Sequence, residues 1–212
     1  MPQRFGRRRV DRRFVEKVSL IFTPSPVGIL ALQERDGALV RVAFVFGRRL
    51  CAKEPTPPEF LRRDDEPFEA FSRRDFQTLA SARYGDFLNA TPLLERVEQE
   101  LREYFDGTRT AFDLPLNPQG TEFQRKVWRE LTRVPYGTTE TYGGLARRIG
   151  TPKAARAVGT ALRENPIGII APCHRVLSAS GGLGGFNGGL ERKKFLLQLE
   201  REVLARNLSA SG

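Results

Sequence analysis

Thr141-Tyr142-Gly143-Gly144-Leu145-Ala146-Arg147-Arg148-Ile149-Gly150-Thr151-Pro152-Lys153-Ala154-Ala155-Arg156-Ala157-Val158-Gly159-Thr160-Ala161-Leu162-Arg163 is the stretch whose reading decides the fold. Its first part predicts a helix over 141–149, with Gly150 placed to close it in the left-handed conformation. Thr151-Pro152 then predicts an N-cap and first helical position for a second helix over 153–163. Asn165 precedes Pro166, a position disfavoured in α, so that helix should end there. Two helices joined by a short glycine-containing turn form the helix-turn-helix pattern. The stretch holds five basic residues and no acidic one. The second helix is rich in small residues, which let a helix approach a surface closely. A well-packed core helix is also rich in alanine, but the local charge favours contact with DNA.

On the N-terminal side, Thr121-Glu122-Phe123-Gln124 reads as a capping box. Phe123, Val127, Trp128 and Leu131 give the helix behind it a core face, and Val134-Pro135-Tyr136-Gly137 stops it. On the C-terminal side, the apolar run Ile167-Gly168-Ile169-Ile170-Ala171 feeds directly into Pro172-Cys173-His174-Arg175-Val176. The chain has two cysteines and one histidine, and that histidine adjoins Cys173. Adjacency alone fits either a reactive thiol with its base or a buried small hydrophobe beside a satisfied core histidine. Six glycines fall within 181–189, a loop whose backbone can come close to a ligand. It lacks the Lys-Ser/Thr of a P-loop. A last helix is predicted over 190–204, and Glu200 falls inside its apolar pattern. A carboxylate there is either a misjudged surface residue or a buried partner for a cationic group.

The first half reads differently. Strands are predicted over 14–22, 29–33 and 38–45, with a Pro/Gly turn at 23–28 and a hairpin signal at Asp36-Gly37. Residues 46–88, with clustered prolines and charges, read as an insertion. Thr91-Pro92 opens a helix over 91–105 with Leu94, Val97, Leu101 and Tyr104 on one face. Residues 112–120 form an extended connector. The fold class is therefore α+β: a small antiparallel sheet with a helix, then a mostly helical unit. The boundaries expected are a basic tail over 1–13, an N-terminal unit over 14–117, a C-terminal unit over 118–206 and a short tail over 207–212.

Lys plus Arg number 35 against 25 acids, a net charge of +10, which favours a polyanionic partner such as nucleic acid. Cys51 and Cys173 make no disulfide framework, and too few Cys and His are present for a zinc site of the usual kind. No cofactor is expected. The arginine-rich residues 4–13 have no apolar run behind them and do not read as a secretory signal. No stretch approaches a membrane span. A monomer in the cytoplasm, on the nucleoid when bound to DNA, is expected.

These motifs, in this order and spacing over about ninety residues, resemble the O6-alkylguanine-DNA alkyltransferases. The matching pieces are Val134-Pro135-Tyr136-Gly137, Thr141-Tyr142, Pro152 to Gly159, Asn165-Pro166, Pro172-Cys173-His174-Arg175-Val176 and Gly188-Gly189-Leu190. Thr23 to Gly28 and Leu101-Arg102-Glu103-Tyr104-Phe105 resemble the family's first domain. The resemblance implies a ribonuclease-H-like first unit and a winged-helix-like second one. It implies irreversible transfer of an alkyl group from O6 of guanine in double-stranded DNA to Cys173, with O4-alkylthymine as a second candidate substrate. It implies that His174 acts as base through a water, that Glu200 orients His174, and that Asn165 is a hinge. Tyr142 would rotate the nucleotide and protonate the leaving guanine, and Arg156 would fill the gap left by the flipped base. Thr151, Lys153, Ala155 and Arg163 complete the DNA-contacting set. Val176, Phe186, Asn187 and Lys193 complete the base pocket. Phe186 stands where many members carry Tyr or Trp, and Asn187 where many carry Ser. Three other readings differ in class: a lesion-marking relative, which would lack the acceptor cysteine; a thiol hydrolase; and a helix-turn-helix regulator, for which no sensing module is evident.

Overall fold

The computed structural model describes residues 18–45 and 88–210. The basic tail, most of the 46–88 insertion and Cys51 lie outside the described residues.

Strands β1 (Val18–Ser25), β2 (Gly28–Arg35) and β3 (Ala38–Phe44) form an antiparallel sheet in the order β1-β2-β3. Asp36 (φ 50°) and Gly37 (φ 79°) make the β2–β3 turn. Positive φ at both central residues is what a two-residue hairpin matching strand twist requires. β1 and β2 extend further than the sequence patterns imply, because pairing continues from Val18↔Arg35 to Ser25↔Gly28.

Helix α1 (Pro92–Phe105) packs on this sheet, capped by the Thr91 hydroxyl accepting from the Leu94 amide. Leu94, Val97, Leu101 and Tyr104 are its buried face. Helix α2 (Glu122–Leu131) carries the expected capping box, with both reciprocal Thr121–Gln124 bonds present. Strand β4 (Glu140–Thr141) leads into α3 (Tyr142–Arg148), capped by Thr141. Helix α4 (Ala155–Arg163) follows. The Trp128 indole N–H donates to the Ala161 carbonyl at 2.8 Å, fixing α2 against α4. A buried indole needs such an acceptor.

Helix α4 begins at Ala155, not at 153. Thr151 is already engaged with the preceding helix: its amide donates to Ala146 O at 2.9 Å, and its hydroxyl points at the same carbonyl. The N-cap position of α4 falls on Ala154, three residues on, so Thr151 does not cap it. Residues 151–154 form a turn closed by Ala154 N to Thr151 O, and α4 starts without a side-chain cap.

The apolar run 167–171 is buried as expected, but it is not a continuous strand. Val42 N donates to Pro166 O at 2.8 Å and Gly168 N to Val42 O at 3.0 Å, so the run touches the edge of β3 once and then coils. Ile169 sits at φ +69° within a three-residue turn closed by Ile170 N to Gly168 O. A β-branched residue there is strained. Cys173–Arg175 form one 3-10 turn, and β5 (Val176–Leu177) pairs in parallel with β4. Helix α5 runs from Leu190 to Ala210, past the expected end at 204.

Two apolar clusters hold these pieces. One joins Leu30, Leu32, Leu101 and Tyr104 to Leu196 and Val203 of α5. The other joins Trp128, Leu131, Leu145, Val158 and Ile167 around Cys173. The first cluster welds the sheet unit to the last helix of the second unit, so α5 serves both.

Candidate active site

Glu200 lies at the centre of the site. Its side chain is fully buried in α5. Its Oε1 faces His174 Nε2 at 2.8 Å and accepts from the Tyr104 hydroxyl at 2.7 Å and Arg175 Nη2 at 2.9 Å. Its Oε2 accepts from Arg175 Nε and from the Gly137 amide, both at 2.9 Å. The choice left open for this residue is thus settled as a buried partner of cationic and polar groups. Burial pushes the carboxyl's pKa up, but His174 and Arg175 outweigh that and hold it down at about 2. Burial lowers the His174 pKa more than Glu200 raises it, so the imidazole is neutral at pH 7. With Glu200 anionic, Nε2 carries the hydrogen and Nδ1 has its lone pair free. Nδ1 is buried and has no hydrogen-bond partner among the described residues.

Cys173 opens the same turn and is 8% exposed. Burial raises its thiol pKa, against smaller lowering effects of the Asn165 side chain and the Lys193 ammonium. The resting group is a thiol that needs a base. Asn165 shapes the approach to it: its Nδ2 donates to Ala171 O at 2.8 Å, and its Oδ1 accepts from Ile167 N at 3.1 Å. The side chain thus ties the end of α4 to both ends of the apolar run.

A cleft of about 510 Å³ opens over Cys173, lined by Tyr142, Arg156, Arg163, Phe186 and Asn187 among others. Tyr142 reaches across to the glycine loop. A side chain at Gly184 (φ +65°) would lie 2.6 Å from its hydroxyl, so only glycine fits. Burial and nearby Cys173 raise the Tyr142 pKa, so it is a protonated donor at neutral pH. Arg156 and Arg163 are exposed on α4. Thr151, Lys153 and Ala155 stand at the start of α4 and do not line the cleft. Val176 and Lys193 are buried behind it. Lys193 Nζ donates to Val176 O at 2.7 Å and to Leu183 O, and burial lowers its pKa to about 8. Lys193 therefore binds β5 to the glycine loop and does not face the cleft.

The sequence reading missed five participants. Tyr104, Gly137 and Arg175 hold Glu200. Phe44 backs the cleft wall, with its ring edge on Phe186 at a centroid distance of 5.7 Å. Arg192 lies over the Phe44 ring and donates to Val27 O and Gly188 O, joining the sheet unit to the loop. Tyr104 had one available signal, a polar tip on an otherwise apolar helix face. Phe44 had none.

Residues 122–202 match the family model described as 6-O-methylguanine DNA methyltransferase, DNA binding domain. The chain is 43% identical over 177 residues to the methylated-DNA–protein-cysteine methyltransferase of Mycolicibacterium paratuberculosis, covering 84% of this chain and 88% of that one. This chain belongs to the methylated-DNA–protein-cysteine methyltransferases. A second member of the family, from Methanosarcina acetivorans, is 55% identical over 102 residues, 48% of this chain and 65% of that one. The Mycobacterium tuberculosis OGT solved in complex with DNA superposes with a TM-score of 0.64 at 35% identity, covering 88% of this chain and 93% of that one.

For this methyltransferase, stability should fall on acidification. His174 is harder to protonate folded than unfolded, so stability begins to drop below about pH 6.5. The Glu200 pKa is also depressed on folding. Its contribution is whole above about pH 4.5 and is lost as pH falls towards 2, about 3 kcal/mol in all. Urea midpoints measured from pH 7 to 3 should decline accordingly, and Glu200→Gln should flatten the limb below 4.5. An equally steep lower limb in that variant would refute the assignment.

Proposed function

We propose that this chain repairs DNA by moving an alkyl group, methyl foremost, from O6 of a flipped-out guanine to Sγ of Cys173, once per molecule. The observation that carries the reading is the buried Nδ1 of His174, without a hydrogen-bond partner among the described residues, in the residue that follows Cys173 at an open cleft, with Nε2 held by an anionic carboxylate. In the step proposed, a water passes the Cys173 proton to Nδ1. The thiolate attacks the alkyl carbon, forming C–S as C–O6 breaks, and the pair from that bond stays on the guanine. Tyr142 donates its phenolic proton to the departing base and recovers one from the imidazolium through solvent. The product is a thioether, which offers no ready path back to the thiol.

An O6-alkyl carbon cannot be reached inside a stacked duplex, and extrusion costs a few kcal/mol. Arg156, exposed on α4 at the cleft, would occupy the vacated space, while Thr151, Lys153, Ala155 and Arg163 would hold the backbone in the minor groove. That the M. tuberculosis OGT was solved with DNA supports DNA as the partner. Under this reading residues 118–206 form the DNA-binding alkyltransferase domain and 14–117 the supporting one. No helix among the described residues is long and apolar enough to cross a membrane, and the nucleoid is where the substrate lies.

Incubation with a duplex carrying one O6-methylguanine should add one methyl mass to the peptide containing Cys173 and leave plain guanine in the strand. An unmodified peptide with an intact lesion would overturn the proposal. The same assay on O4-methylthymine tests the second substrate.

A further inference from the structure

The relay residues all belong to the second half of the chain, but the hydrogen bonds made to Glu200 do not stop there. Tyr104, from α1 of the sheet unit, donates its hydroxyl hydrogen at 2.7 Å to Oε1, the same oxygen that faces His174. Its ring is fully buried and packed edge-on to Tyr136, with centroids 5.8 Å apart. The phenol stays protonated, because burial and the Glu200 charge push its pKa far up. It is a fixed donor, never an acceptor of the relay's proton.

We propose that Tyr104 is a positioning residue of the transfer site, through which the N-terminal unit sets the basicity of His174. The physical basis is competition for one oxygen. A hydrogen bond to Oε1 draws negative charge away from His174 and fixes the carboxylate plane. Without it, more of that charge faces Nε2 and the imidazolium is favoured. His174 would then be protonated over a wider pH range and would be unable to take the Cys173 proton until the pH was higher.

Other charges also face the ring. Glu200 and Lys193 approach from α5, and Arg175 and Cys173 flank it in its own turn. Tyr136 approaches the same cluster from the loop before β4. Its hydroxyl is buried with no hydrogen-bond partner among the described residues, so it is a built-in control. Arg175 already neutralises the carboxylate as a whole. The contribution assigned to Tyr104 is local to Oε1.

The proposal rests on the reading of His174 as the base, but its first test does not. The chain has a single histidine, so its imidazole NMR signals are uniquely assignable. Titrating them in the full chain should show the His174 pKa raised in Tyr104→Phe by about half a unit or more and unmoved in Tyr136→Phe. Replacing Tyr104 with 3-fluorotyrosine, a stronger donor, should move it the other way and covers the case in which the phenylalanine variant folds poorly. The rate of methyl transfer from an O6-methylguanine duplex, measured against pH, should show its acid limb displaced upward by the same amount in Tyr104→Phe. An unshifted or lowered His174 titration overturns the proposal. A shifted titration with an unshifted rate profile removes His174 from the reaction instead, and wild-type protein that transfers no methyl group at any pH overturns the functional reading, not the coupling. A uniform fall in rate at every pH, with the titration unmoved, would reduce Tyr104 to a packing role.

Discussion

Glu200→Ala is expected to destabilise the fold by about 3–5 kcal/mol, the range for removing one partner from a buried ion pair. Arg175 is 5% exposed and would be left charged in the interior. The Tyr104 hydroxyl, the Gly137 amide and His174 Nε2 would each lose their partner in the same stroke. Unsatisfied buried donors add their own cost. Since whole domains are stable by about 5–15 kcal/mol, much of this variant should be unfolded at 37 °C. Glu200→Gln keeps the volume and two acceptor-or-donor sites and should cost less. The urea midpoints of the two variants decide this: a loss below about 1 kcal/mol for alanine would mean that the cluster is more solvated than its burial implies.

Cys173→Ala should abolish methyl transfer while leaving DNA affinity within about twofold, because under the proposed reading affinity for duplex comes from phosphate contacts and from α4. The thiol touches neither. It sits at the cleft floor, and a methyl in its place keeps the packing against the α2–α4 cluster. Fluorescence anisotropy at fixed salt beside a transfer assay separates the two. Equal loss of both activities would contradict a purely chemical role for the cysteine.

Local chemistry made several elements legible. Thr121 and Gln124 announced their capping box, Asp36-Gly37 its hairpin, and Tyr142 to Gly150 a helix with its glycine stop (φ +76°). These features depend on residues within four positions of each other. The start of α4 misled because residues 151–154 form a turn of their own, which moves the first helical position from 153 to Ala155. Within the site, the adjacency of Cys173 and His174 and the misplaced carboxylate at 200 were visible in the sequence. Their neighbours were not. Tyr104 and Gly137 lie 96 and 63 residues from Glu200 along the chain, and nothing in a linear pattern encodes that meeting. Arg175 stood in plain view beside His174, but a lone arginine on a basic chain reads as surface charge.

The cluster around Glu200 also bears on how the molecule is made. Its donors come from segments 25, 26, 63 and 96 residues away, and Glu200 itself lies on α5, which is synthesised after all of them. Loops of that length close late, after local helices and hairpins have formed. Until α5 docks, His174 has no carboxylate to hold it and Cys173 is an ordinary cysteine. Under the proposed transfer, a thiol that can react only once would be kept out of service during synthesis and become active when α5 docks.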